Sequence, residues 1–344
     1  MRVKQASGDF PRYAVWNNKG GVGKTFFTFM AASEYARIHE DKIVVVIDMC
    51  PQANVSEIFL GGNGAGAKQL GKLLSSEPRK TIGGYFDLRV SSPHKSPGSE
   101  LDFLLDVAKV NKQLPTNMRL VAGDPSLEVQ TQAMNQIAAQ TLPKQAWANV
   151  HRWLLDLVEA ISVEHPTAVF FIDCNPSFSA YTEIALVAAT RLIVPCTADG
   201  SSARAIDNIG QLLLGLNVPA EYEEANFAGL AEKFKLALPT IHLVPLNRST
   251  QYDKKASKAF GAMYKEIQAR VAGLRKKKPA AFSLENAYSD IPDSHSVAVV
   301  ASHFGRPLAK VTPGKYKVHG VSTQLNDDPL QRYRKALDRL VRKL

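Results

Sequence analysis

An apolar run at residues 13–17 leads straight into Asn18-Lys19-Gly20-Gly21-Val22-Gly23-Lys24-Thr25, and a helical pattern over 25–39 follows. A buried strand that turns through glycines into a helix is the setting of a phosphate-binding loop. The glycines let backbone N–H groups turn inward around phosphate oxygens. The helix start adds its positive end. Lys24 is expected to reach the β- and γ-phosphates, and the Thr25 hydroxyl to bind Mg²⁺. Gly20, Gly21, Val22, Gly23, Lys24, Thr25 and Phe26 form the expected cradle for a nucleoside triphosphate.

This strand–loop–helix unit recurs in outline along the chain. Apolar runs at 42–48, 118–121, 168–173, 191–195 and 241–245 lack polar alternation and read as buried parallel strands. Helical patterns at 147–162, 181–189, 202–216 and 254–274 lie among them. The alternation predicts an α/β fold: a doubly wound, mostly parallel sheet flanked by helices. The stretches 61–66, 91–99, 276–279 and 311–328 read as loops, and none is a clean linker. We expect one domain over 1–344 with insertions near 61–117 and 309–328.

No apolar run reaches the roughly 18–20 residues that span a bilayer. Residues 1–11 lack the apolar stretch of a secretory signal. The three cysteines, at 50, 174 and 196, have no CxxC spacing, which fits a reducing compartment and a soluble, cytoplasmic protein. They follow strand ends and read as small residues packed near the ligand edge. The eight histidines show no metal-ligand pattern. Charge is uneven. From residue 248 onward there are 20 Lys+Arg against 8 Asp+Glu, a net of +12, whereas the rest carries 22 against 24. Such asymmetry suggests a polyanionic partner.

Asn18 stands where the common GxxxxGK[ST] loop has its first glycine, and Lys19 adds a second lysine. This lysine-first form resembles the deviant Walker A loop of the ParA/MinD family. The resemblance implies that Lys19 reaches across an ATP-sandwiched homodimer to the partner's phosphates. The strand ending at Asp48, followed by Met49-Cys50-Pro51-Gln52, is similar to the family's Asp-x-Asp-Pro-Gln motif. Asp48 matches its first carboxylate, which implies a catalytic and magnesium-binding role. The second aspartate, which orients the attacking water in relatives, is replaced by Cys50. A thiol is neutral near pH 7 and accepts hydrogen bonds weakly. ATP hydrolysis is therefore expected to be slow or partner-dependent, unless Asp48 or a nearby group takes over. The strand ending at Asp173 resembles a Walker B motif, with Asp173 implied at Mg²⁺.

Further on, Asp199-Gly200-Ser201-Ser202 resembles the family's switch region, and Ser201 or Ser202 is expected to cap the next helix. The run ending in Asn247-Arg248 looks like the strand that carries an adenine-contacting asparagine. Asn247 can donate and accept, so ATP and GTP both remain open. Pro292 is implied in the base pocket, and 330–344 resembles the terminal helix.

Family members include DNA-segregation ATPases, membrane-bound division regulators, iron–sulfur reductases and cluster carriers. The last two need cysteine pairs, or a cluster-holding cysteine in each subunit, at spacings not found here. An apolar stripe of Leu330, Tyr333, Leu337, Leu340, Val341 and Leu344 with basic flanks could lie on an anionic bilayer. It is expected to pack on the domain instead, so membrane association is not expected. Lys254, Lys255, Lys258, Lys276, Lys277, Lys278 and Arg306 are the candidate contacts to DNA phosphates, sequence-independent and salt-sensitive. The resemblance thus implies a ParA-like ATPase. It would dimerise on ATP-Mg²⁺, bind non-specific DNA of the nucleoid, and position plasmid, chromosome or other cargo through a ParB-like adaptor. The alternatives are a nucleotide-gated scaffold with little turnover and a MinD-like membrane-associated ATPase.

Overall fold

The computed structural model describes residues 11–249, 251–252, 255–256, 258–293 and 295–344. Lys254 and the side chains of Arg248, Lys255 and Lys258 lie outside the described residues. Seven strands form one sheet: β1 (Arg12–Val15), β2 (Ile43–Met49), β3 (Met118–Val121), β4 (Ala168–Cys174), β5 (Arg191–Ile193), β6 (Thr240–Ser249) and β7 (Tyr288–Pro292). Their order is β3-β2-β4-β1-β5-β6-β7, and every pairing is parallel. The doubly wound α/β reading holds.

The lack of alternation in β2 and β4 has a direct cause: helices cover both faces of the sheet. Successive side chains point to opposite faces. Ala14, Val45, Phe170 and Ile172 enter one core with Trp153 and Leu157. Tyr13, Val15, Val44, Val46 and Phe171 enter the other with Phe29 and Met30. The helices that matter for the site are α1 (Lys24–Ile38), α2 (Asn54–Phe59), α3 (Gly200–Leu212), α4 (Lys258–Lys277), α5 (His295–His303) and α6 (Asp327–Val341).

Both segments expected as insertions carry regular structure of their own. The segment 61–117 contributes Ile82, Tyr85 and Phe86 to the core through a helix at Ile82–Ser91, and Phe103 through a short turn at Glu100–Phe103. The region near 309–328 holds a hairpin of β8 (Gly314–Val318) and β9 (Val321–Leu325) rather than only loop. His319 and Gly320 both have positive φ at its turn, which matches the twist of two-residue hairpins. The terminal stripe does pack inward: Leu330, Tyr333, Leu337, Leu340 and Val341 are all buried. Among the described residues no helix is long and apolar enough to cross a membrane.

Candidate functional site

β1 lies in the middle of the sheet, so the loop after it emerges between the ends of β4 and β5. That position places the cradle beside two other strand ends. Asn17, fully buried, fixes its start. Its Nδ2 donates to the Pro195 carbonyl at 2.8 Å, and its Oδ1 accepts from the Lys19 amide at 2.9 Å. Gly21 and Gly23 then take left-handed φ of 74° and 82°. Gly23 precedes α1 without any side-chain cap. The first amides of α1 are thus left for an anion at the positive end of the helix. Nor is there room for a side chain at Gly23: a Cβ would stand 2.4 Å from Asn247 Nδ2.

The two lysines behave differently. Lys24 is buried and braces the loop from within, its Nζ donating to the carbonyls of Asn17 (3.0 Å) and Lys19 (2.9 Å). Burial lowers its pKa, against the pull of Asp173. Lys19 instead leaves the loop. Its ammonium pairs with Asp199 and donates to Thr197 Oγ1 at 2.9 Å. Burial raises the Asp199 carboxyl, but hydrogen bonds from Lys19, Thr197 and the Ser202 amide outweigh it and hold the group at about 2. Asp199 also caps α3, accepting from the Ser202 amide at 2.9 Å. This corrects the expected cap: the extended backbone at Asp199 makes it the cap residue, and Ser202 supplies the donor.

Asp48 and Asp173 are register neighbours on β2 and β4. The Asp173 oxygens accept from Thr25 Oγ1 (3.0 Å) and Thr28 Oγ1 (2.9 Å). Asp48 is tied down by the Cys50 amide (3.0 Å), the Ser56 amide (3.0 Å) and the Ser56 hydroxyl (2.7 Å). Burial pushes both carboxyls well above the ordinary range, and the charge of Asp48 adds to the rise at Asp173. Two adjacent buried carboxyls favour a cation between or beside them. Among the described residues no cluster of three or more His, Cys, Asp or Glu could hold a metal. Thr25 and Asp173 suit a magnesium ion that takes its other ligands from phosphates and water.

Cys50 lies against Asn175, whose Nδ2 donates to its sulfur at 3.5 Å. Burial, aided by the charge of Asp48, pushes the thiol up to about 12. Cys196 is raised to about 12 chiefly by burial, and Cys174 well above its usual value. All three are free, buried thiols. The native protein at pH 8 is therefore expected to react with iodoacetamide at least about 100-fold more slowly than free cysteine, because thiolate and access are both lacking. Alkylation followed by mass spectrometry checks this; rapid labelling of Cys50 would contradict the burial.

Asn247 Nδ2 donates to the Val22 carbonyl at 2.8 Å, so its amide backs the loop. Pro292 ends β7, in register with Ser249. Phe26 turns its ring toward Tyr333 on α6, 6.0 Å between centroids. The basic run at the end of α4 is largely engaged locally. Lys277 donates to Asn217 (3.4 Å) and Lys278 to the Leu214 carbonyl (2.5 Å). Lys276 is exposed beside them. Arg306 sits apart, over the rings of Phe304 and Tyr316. The motifs did not point to Asn17, Thr28, Ser56 or Asn175 as side chains that build this site, and the switch motif marked Asp199 without its link to Lys19.

A parallel sheet whose central strand feeds a glycine loop, an uncapped helix and two carboxylate-bearing neighbours defines a P-loop nucleotide-binding fold. The family model described as an AAA domain matches residues 12–221. The chain belongs to that family, within the ParA/MinD-like P-loop ATPases. Apo McdA from Cyanothece is similar at 15% identity and TM-score 0.59, covering 95% of this chain and 99% of that one. A plasmid partition protein from Borrelia burgdorferi, bound to AMPPNP, matches at 15% identity and TM-score 0.53, covering 97% of this chain and 100% of that one. The ParA of pnob8 matches at 16% identity and TM-score 0.52, covering 81% and 76%. Comparison with curated proteins gave no match.

Proposed function

We propose that this chain is a ParA-like positioning ATPase that acts through an ATP-bound homodimer on non-specific DNA. The observation that carries the reading is the split between the lysines. Lys24 serves its own loop, whereas Lys19 points out of it and is held by Asp199. A lysine held outside its own cradle is placed to serve a second subunit. The uncapped N-terminus of α1 and Lys24 would hold the phosphates, and Thr25 with Asp173 would hold the metal. Magnesium-bound ATP would supply the phosphoanhydride bond to be cleaved and the negative charge that these groups face. Asn247 fixes the loop from behind, and Pro292 borders the base.

The Cys50 thiol is protonated at neutral pH, and the Asp48 oxygens are committed to Cys50 and Ser56. Neither is free to orient water, so turnover is slow or depends on a cargo-bound, ParB-like partner. The same observation supports the second reading, a nucleotide-gated scaffold with little turnover. Lys276 and its neighbours, with Lys254, Lys255, Lys258 and Arg306, would make salt-sensitive phosphate contacts, placing the protein on the nucleoid. The buried terminal stripe argues against that helix as a membrane anchor. The chain would act as one unit over 1–344.

Co-sedimentation with a random duplex, with ATP-Mg²⁺, ADP-Mg²⁺ or no nucleotide at two salt concentrations, tests the reading. Binding that needs ATP and fades with salt is expected. Binding indifferent to nucleotide, or absent throughout, removes the DNA switch.

A further inference from the structure

α1 runs from the P-loop at Lys24 to Ile38, about 20 Å away by helical rise. Two adjoining grooves open at that far end, with volumes of about 440 and 610 Å³. They share Glu34, Arg37 and Ala309 in their walls, so they adjoin on one surface. Ala36, Pro115, Pro307 and Leu308 add apolar lining.

The charges around the cleft do not balance. Glu34 is paired with Arg37 at 2.6 Å, and Asp338 with Arg342 at 2.9 Å. That leaves Lys310, Arg334, Lys335 and Arg339 on the walls. Their recorded partners are backbone carbonyls: Arg334 donates to Leu308, Ala309 and Val311, Arg339 to Lys335, and Lys310 to Lys112. Among the described residues none of the four is in an ion pair. Only Glu40 among the lining residues opposes them.

We propose that this cleft is a docking site for an extended acidic segment of a partner protein that also carries an apolar side chain. Four cations around a slot with apolar patches match alternating carboxylates and an apolar anchor. Duplex DNA fits less well. Its contacts are chiefly to phosphates, whereas this surface also offers the apolar lining of Ala36, Pro115, Pro307 and Leu308. The site lies at the opposite end of α1 from the nucleotide cradle, so a docked segment and a nucleotide can be bound together. The proposal does not depend on the DNA-switch reading.

The test uses the full chain and a fluorescein-labelled, glutamate-rich peptide containing leucine, followed by anisotropy at low and physiological salt. Saturable, salt-sensitive binding is expected. Lys335→Glu combined with Arg339→Glu, both at exposed positions of α6, should weaken it by about tenfold or more. Should that variant misfold by circular dichroism, Lys310→Glu in the adjoining groove serves the same purpose. Lys68→Glu with Lys72→Glu, at exposed positions outside the cleft, should leave binding unchanged, and ATP-Mg²⁺ should not displace the peptide. No saturable binding, or wild-type affinity in the cleft variants, overturns the proposal. Displacement by ATP-Mg²⁺ would put the peptide at the P-loop and also overturn it. Duplex binding that is lost in the cleft variants while peptide binding survives would assign the surface to nucleic acid instead.

Discussion

Replacing Cys50 by aspartate is expected to raise the unstimulated ATP turnover of the purified chain by about 100-fold. A positioned group that takes or orients a proton contributes roughly 10²–10⁴ to a rate, and positioning is much of what a protein can supply to phosphoryl transfer. Position 50 is suited to it. It sits just past β2, and Asn175 Nδ2, now 3.5 Å from the sulfur, can donate to a carboxylate there. The present thiol is raised to about 12 and offers no charge. Steady-state phosphate release for the wild type, Cys50→Asp and Cys50→Ser separates the possibilities. Serine should leave the slow rate nearly unchanged. If a folded Cys50→Asp protein turns over no faster than wild type, Cys50 is not what limits hydrolysis.

The second large effect is expected at Gly23. Alanine there must adopt φ near 82° and place its Cβ 2.4 Å from Asn247 Nδ2. Strained backbone costs of order 1–3 kcal/mol, and the contact adds to it. A drop in stability of about 2–4 kcal/mol should follow, together with at least about a hundredfold loss of nucleotide affinity, because the loop amides no longer converge. Denaturant melts and nucleotide titration measure the two. The pair is coupled through Asn247, so Gly23→Ala should cost less in an Asn247→Ala background. Strict additivity would mean that the contact carries none of the effect.

Much of this molecule was legible because its signals are local. The runs that became β1, β2, β4, β5 and β6 are apolar without alternation, as double-sided burial requires, and the glycine loop marks itself. β7 was not legible. Its residues Tyr288-Ser289-Asp290-Ile291-Pro292 are mostly half-exposed at the sheet edge, and only Ile291 is buried. The hairpin at 314–325 carries lysines and an exposed turn, so its pattern reads as loop. The helical pattern at 147–162 resolves into two segments, Ala146–His151 and Trp153–Glu164. The site divides in the same way. Lys19, Lys24, Thr25 and Asp173 stand in short motifs. Their pairings do not: Asp199 meets Lys19 across 180 residues, and Thr28 reaches Asp173 across 145. Such contacts depend on strand order, which no local pattern states.

The grip of Asp199 on Lys19 sets a threshold. Side-chain exposures of 25% and 41% leave the pair in contact with solvent. After screening it contributes about 1 kcal/mol or less, a bias of roughly fivefold. If Lys19 serves a second subunit as proposed, a lone chain holds that charge on its own Asp199, but only weakly, and surrounding salt loosens that hold. Ionic strength would then act in two directions on one chain, easing the lysine's release while weakening any grip on a polyanion. The most favourable conditions for assembly on such a surface would lie at an intermediate salt concentration rather than at either extreme.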